Sequence, residues 1–173
     1  MKLLLMLILC TYSFALTQNK SLLIPDDYTE CYQIDGYSFH YSQDYSCHEA
    51  LNHIIFSTPN KALILGEPIY DSFSWVMERA YNICDNEFIS CAEIPDVTRL
   101  DTENGVTGAF ISFEVDSSTK TEFTALTIDL KNAPGGIHSI LFWVSIDAPE
   151  RLDRAILEGF LEQLYIEFHD AAG

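Results

Sequence analysis

The stretch from Ala109 to Ile146 constrains this chain more than any other. Ala109, Ile111, Phe113 and Val115 alternate with Phe110, Ser112, Glu114 and Asp116, and a period of two places the first set on one face of a β-strand. After a turn over Ser117 to Lys120, Leu126, Ile128 and Leu130 alternate with Thr127, Asp129 and Lys131 in a second strand. Pro134-Gly135-Gly136 turns the chain again, as those residue types do. Ile137 to Ile146 then reads as a third strand, apolar on both faces through Ile140, Leu141, Phe142, Trp143 and Val144. A strand of that kind belongs at the centre of a sheet, covered on both sides. The three together predict an antiparallel meander.

Helices flank the meander. Asp71 or Ser72 can cap a helix to about Cys84, with Phe73, Val76, Met77, Ala80 and Tyr81 at helical spacing. Asp147 caps a second, with Pro149 in its first turn, where a missing N–H costs little. Its stripe of Leu152, Ile156, Phe160, Leu164 and Phe168 predicts a helix running to about Phe168 and packing on the sheet. Upstream, Asp35-Gly36 sits between Tyr32-Gln33-Ile34 and Tyr37 to Tyr41, a hairpin signal because a type I′ turn needs positive φ at both central positions. Ser42 to Glu49 reads as a polar loop. Leu51 to Phe56 and Lys61 to Leu65 read as short strands, and another falls near Val97 to Leu100 beyond Pro95. The expected fold class is α+β: an antiparallel sheet with a middle helix and a C-terminal helix packed on it as a sandwich.

The first residues address the compartment. Lys2, an apolar run from Leu3 to Cys10, and Ser13-Phe14-Ala15 match a secretory signal peptide cleaved after Ala15. The run is too short for a permanent membrane span. Residues 16–30 read as a leader, and residues 31–170 as one α+β domain. After cleavage four cysteines remain, Cys31, Cys47, Cys84 and Cys91. An even number suits an oxidising compartment, and three pairings are possible. The sequence-local pairing, Cys31–Cys47 with Cys84–Cys91, is expected. No C-x-x-C pair is present, so a zinc site on these cysteines is not expected; no EF-hand loop is present either, and the expectation is a chain without metal or cofactor.

Charge is the strongest compositional signal: 26 Asp and Glu stand against 9 Lys and Arg. Such a surface repels nucleic acid and anionic membranes and attracts basic proteins. Between Cys84 and Asp116 eight carboxylates accompany a single base, Arg99. Within this stretch Glu93, Asp96, Asp101 and Glu103 are the candidate partner-binding residues.

Catalytic patterns are scarce. There is no G-x-S-x-G, H-E-x-x-H, Walker loop or G-x-G-x-x-G. His40, His48 and His53 lie close in sequence; with a carboxylate such as Glu49 they are a candidate metal site, but their spacing fits no recognised ligand pattern, and a hydrolase would require them to gather with acids in a pocket. In an oxidising compartment, Cys47 beside His48 is better read as half of a disulfide than as a nucleophile.

The segment Gly36-Tyr37-Ser38-Phe39-His40-Tyr41, with the meander and helix from Ala109 to Phe168, resembles the PsbP-like and DcrB-like family of small sandwich proteins, covering most of the mature chain in pattern. Where that family often has a proline and then a tryptophan after its opening strand, this chain has Ser42 and Tyr45. The resemblance implies a non-catalytic accessory or binding role outside the cytoplasm, with no catalytic set to carry over. The expectation from the residues is an exported acidic binding protein, an immunity protein or inhibitor that occludes a basic toxin or hydrolase. The alternatives are an accessory subunit of an envelope complex and a hydrolase with a His/carboxylate site.

Overall fold

The computed structural model describes residues 24–34, 36–50, 53–88, 90–102, 106–116, 122–130, 139–145 and 153–169. The stretch read as a signal peptide, Glu103, Asp147, Pro149, Leu152 and the segments read as turns at Ser117 to Lys120 and Pro134 to Gly136 lie outside them.

Two antiparallel sheets and two helices make the fold. A three-stranded sheet has the order β1-β2-β10, from β1 (Tyr28–Ile34), β2 (Tyr37–Ser42) and β10 (Leu164–Phe168). A seven-stranded sheet runs β3-β4-β5-β9-β8-β7-β6. Its strands are β3 (Ser46–Ala50), β4 (His53–Ser57), β5 (Leu63–Ile69), β6 (Asp96–Asp101), β7 (Thr107–Glu114), β8 (Glu122–Asp129) and β9 (Ser139–Val144). Helix α1 (Phe73–Glu87) packs on one face of β7, β8 and β9, and α2 (Asp153–Glu162) packs against β8 and β9.

The meander forms as its alternation dictates. β9 is the middle strand of seven and every one of its six residues is buried. Its two faces feed two cores. Ile140, Phe142 and Val144 join Phe56, Ile64, Phe110, Leu126, Leu157, Phe160 and the inward residues Tyr37, Phe39 and Tyr41 of β2. Leu141 and Trp143 join Ile111, Phe113, Phe123, Val76, Ala80 and Ile83 beneath α1. The molecule is therefore layered as α1, the large sheet, then α2 with the small sheet. In the first core Phe160 lies 5.0 Å from Tyr41, 5.1 Å from Phe56 and 5.2 Å from Phe142, ring centre to ring centre. That one side chain touches all three surrounding elements.

The cysteines pair locally. Cys31–Cys47 (Cα–Cα 5.9 Å) ties β1 to β3, and so one sheet to the other, while Cys84–Cys91 (6.1 Å) ties the last turn of α1 to the chain beyond it. Two disulfides mark a chain that matures in an oxidising compartment. Among the described residues no helix is long and apolar enough to cross a membrane.

Several local expectations are corrected. Ser46–Ala50, read as loop, is an edge strand in register with β4, Cys47 opposite Phe56. An edge strand has one solvated side, so a polar composition does not exclude it. β5 does not stop at Leu65 but continues through Pro68 to Ile69. Among the described residues β4 pairs only as far as Gly66, and a proline is tolerated where a strand has no ladder partner for the missing N–H. The C-terminal helix ends at Glu162 rather than Phe168; Leu164 to Phe168 pair with Tyr41 to Tyr37 of β2. That ladder occupies the backbone edge that β2 would otherwise expose. β1 begins at Tyr28, within the stretch read as leader.

Candidate interaction surface

The acidic stretch opens at the end of α1. Cys84 is fully buried, and the N–H of Phe88 donates to its carbonyl at 2.9 Å. The Phe88 ring packs on Phe123, so the helix stops against the core. The chain then runs beside the end of β7. Cys91 bridges Val115, Ala92 N–H donates to Glu114 O at 2.9 Å, and Asp116 N–H donates to Ser90 O at 3.3 Å. β6 begins soon after, with Asp96 opposite Ser112.

Between these anchors the strands do not match in length. Ala92, Glu93, Ile94 and Pro95 stand opposite only Phe113 and Glu114. The two surplus residues must leave the sheet, as in a bulge, and proline removes a donor from the same edge. Ile94 is carried outward to 86 % exposure, the most exposed large apolar residue described. Glu93 and Asp96 lie on either side of it along the chain, Glu114 and Asp116 stand at the end of the neighbouring strand, and all four are exposed. Asp96 and Glu114 project from one sheet face, because Glu114 lies two residues beyond Asp96's partner. Glu122 sits opposite Glu114, and its carboxylate accepts the Thr124 hydroxyl, which also contacts Ser112. Like charges directly opposite work against the pairing of two strands.

The four predicted partner-binding residues do not all converge. Glu93 and Asp96 flank Ile94. Asp101 lies at the far end of β6, opposite Thr107. Five positions along a strand is about 16 Å and reverses the side of projection, so Asp101 leaves from the other face. Glu103 is outside the described residues. Ile94 was not singled out from sequence, because nothing in a lone isoleucine signals exposure; the only hint was its place between Glu93 and Pro95, three residues beyond a disulfide cysteine.

Carboxylates also decorate the rest of the molecule: Asp26, Asp27 and Glu30 near β1, Asp44, Glu49 on β3, Glu78 on α1, and Glu158 and Glu162 on α2 are exposed. Two basic side chains are engaged locally, Arg79 with Glu67 at 2.8 Å and Arg154 with Glu158 at 2.6 Å, the latter also 3.9 Å over the Phe110 ring. Negative charge alone therefore selects no face.

The three candidate histidines are not gathered. His40 is on β2, His48 is exposed on β3, and His53 on β4 lies 3.8 Å from Glu67 against the edge of Trp143. His40 instead joins a group along β2 and β10, in which Glu167 lies 3.5 Å from His40 Nε2 and 3.6 Å from His169 Nε2. His169 Nε2 also contacts Ser38 Oγ at 3.0 Å. Serine and glutamate thus share one ring nitrogen, whereas a nucleophile–base–acid relay uses both, and Ser38 is fully buried. The group latches β10 to β2. No cluster of three or more His, Cys, Asp or Glu suited to a metal is present among the described residues.

No family model, curated protein or solved structure matches this chain.

Proposed function

We propose that this is an exported binding protein, periplasmic or secreted, of the inhibitor or immunity-protein kind. It captures a basic toxin or hydrolase by seating the 92–95 bulge in the partner's cleft. Exposure of Ile94 on a loop braced at both ends is the observation that carries this reading. A solitary exposed apolar residue is ordinary on any surface; one projected from a bulge and fixed by a disulfide, two backbone hydrogen bonds and a buried helix end is less so. Binding energy concentrates in a few apolar anchors ringed by groups that exclude water, and a preformed loop lowers the ordering cost of association. The surrounding carboxylates steer a positive partner and speed encounter. Occlusion then requires no chemistry from this chain.

The test is retention of a basic polypeptide from the extracytoplasmic fraction on immobilised protein. Ile94→Arg should abolish retention, and Ile94→Ala should weaken it by about 10- to 100-fold, as truncation of a central anchor does. Asp96→Lys with Glu114→Lys should slow association steeply at low salt, while Glu49→Lys with Glu78→Lys, on other parts of the surface, should not. Equal retention by wild type and Ile94→Arg removes the proposal.

A further inference from the structure

Strands β1 and β10 form the two edges of the small sheet, with β2 between them, so their backbones run about 10 Å apart. Tyr37, Phe39 and Tyr41 of β2 point into the main core; Ser42 and His40, and the residues opposite them, therefore project from the outer face. Tyr28 stands opposite Ser42, and Tyr165 stands opposite His40. Serine is short, so the Tyr28 side chain lies across β2. Its hydroxyl donates to Gln163 Oε1 at 3.1 Å, beside the start of β10. Its ring meets the Tyr165 ring edge to face, with centres 5.0 Å apart and planes at 82°. Both tyrosines are half-buried. Two phenols from opposite edges of one sheet thus touch on its outer face.

We propose that Tyr28 and Tyr165 are a site of oxidative cross-linking, where a dityrosine bond joins β1 to β10. The oxidant is hydrogen peroxide acting through a haem peroxidase. It takes one hydrogen atom, a proton and an electron, from each phenol, and the peroxide leaves as two waters. The two radicals pair their electrons in a bond between ring carbons adjacent to the oxygens. Each of those carbons then gives up its hydrogen as a proton and each oxygen regains one, which restores both phenols. Joined rings have their centres three carbon–carbon bonds apart, about 4–4.5 Å. Starting from 5.0 Å, the rings must close by less than about 1 Å, within the reach of side-chain torsions alone. Burial, then Tyr165, then Asp27 raise the Tyr28 phenol above 10.0, so at neutral pH it enters as the protonated phenol and yields a whole hydrogen atom. Tyr70, 62 % exposed, meets oxidant readily, but coupling requires a second tyrosine, and a formal net charge of −17 holds two copies apart at low salt. A chain with two disulfides matures where oxidants are present. Because Cys31–Cys47 already ties β1 to β3, the new bond would link β10 covalently, through β1, to the large sheet.

Treatment of the intact chain, dilute and at low salt, with hydrogen peroxide and a haem peroxidase tests this. The expected product is a monomer lighter by two hydrogen atoms, with dityrosine fluorescence. After reduction and trypsin digestion it should yield a joined fragment containing Tyr28 and Tyr165. Tyr28→Phe and Tyr165→Phe each keep a ring in place but supply no phenoxyl radical, so either variant should lose the joined fragment, while Tyr70→Phe should retain it. In the cross-linked monomer, amide exchange at residues 164–168 should slow, while exchange in α1, which packs in the other core, should not change. A monomer of unchanged mass, Tyr165 joined to a tyrosine other than Tyr28, the joined fragment surviving in Tyr28→Phe, or product found only between two copies would each overturn the assignment.

Discussion

Gly66→Ala probes how tightly the main core is built. Gly66 lies on β5 between Ile54 of β4 and Phe142 of β9. A Cβ added there would sit 2.6 Å and 2.8 Å from two ring carbons of Phe142 and 3.6 Å from the Ile54 Cβ. Ordinary carbon contacts lie at about 3.5–4.0 Å, so the methyl intrudes on the ring by about 1 Å. The ring has nowhere to go: Phe142 is fully buried, with Phe160 at 5.2 Å and Phe56 at 6.1 Å. Overpacking of this kind costs about 1–3 kcal/mol. Losing a glycine from the unfolded chain returns about 0.4–1 kcal/mol. The net expectation is a loss of about 1–2 kcal/mol, read as a lower midpoint in urea with both disulfides intact. Phe142→Leu removes the obstructing ring atoms, so the double variant should be more stable than the two single losses imply, by about 1 kcal/mol of coupling. Strict additivity, or a Gly66→Ala protein as stable as wild type, would refute the steric account.

Other perturbations separate the remaining contributions. Gly159, in α2, has nothing within 4 Å of an added Cβ, so Gly159→Ala should raise stability by about 1 kcal/mol through helix propensity alone, seen as a higher Tm. Burial, and then the neighbouring Tyr45 phenol, push the Tyr41 phenol well above its ordinary value of 10.0. A phenol raised in the folded state supports folding fully below the unfolded value and loses that support as pH climbs past 10.0 toward the folded one. Tyr41→Phe should therefore flatten the alkaline decline in unfolding free energy. At neutral pH it should leave stability equal or higher, because the hydroxyl is buried without a hydrogen bond. Cys84→Ser with Cys91→Ser should cost about 2–3 kcal/mol and accelerate amide exchange at residues 90–94 well beyond that in β9.

Period and turn chemistry carried much of the architecture. The hairpin at Gly36, which has φ of 83°, is legible because its conformation demands that residue type. β9 is legible because six consecutive buried residues leave no polar alternation. Both disulfides follow from cysteines near in sequence. The misreadings share one physical cause: each segment takes its state from a distant partner. Leu164 to Phe168 continue a helical apolar spacing from Phe160, yet the backbone edge of β2, more than 120 residues earlier, draws them into a strand. Ser46 to Ala50 carry no apolar alternation, and only the disulfide to Cys31 and the ladder to β4 order them. Ile94 owes its exposure to a mismatch between residues 91–96 and 112–115, a quantity that exists only once the strands are in register.

That mismatch also explains how an almost uniformly acidic surface acquires a distinct place. Carboxylates on β1, β3, α1 and α2 give long-range attraction without direction. Direction comes from shape, and the shape depends on the smaller core. Cys84 and Phe88 hold the loop from one side and belong to the cluster under α1; Glu114 and Asp116 hold it from the other, at the end of β7, which is clamped by Ile111, Phe113 and Val115 in that same cluster. The main core around Phe160 does not touch the loop's anchors. Loosening α1, for instance by emptying the site of Val76 or Ala80, therefore releases the projection while β2 and α2, which belong to the other core, stay packed. Partner capture should then fail at temperatures below those at which the sheet unfolds, so the molecule's binding competence and its overall stability are supported by different sets of residues.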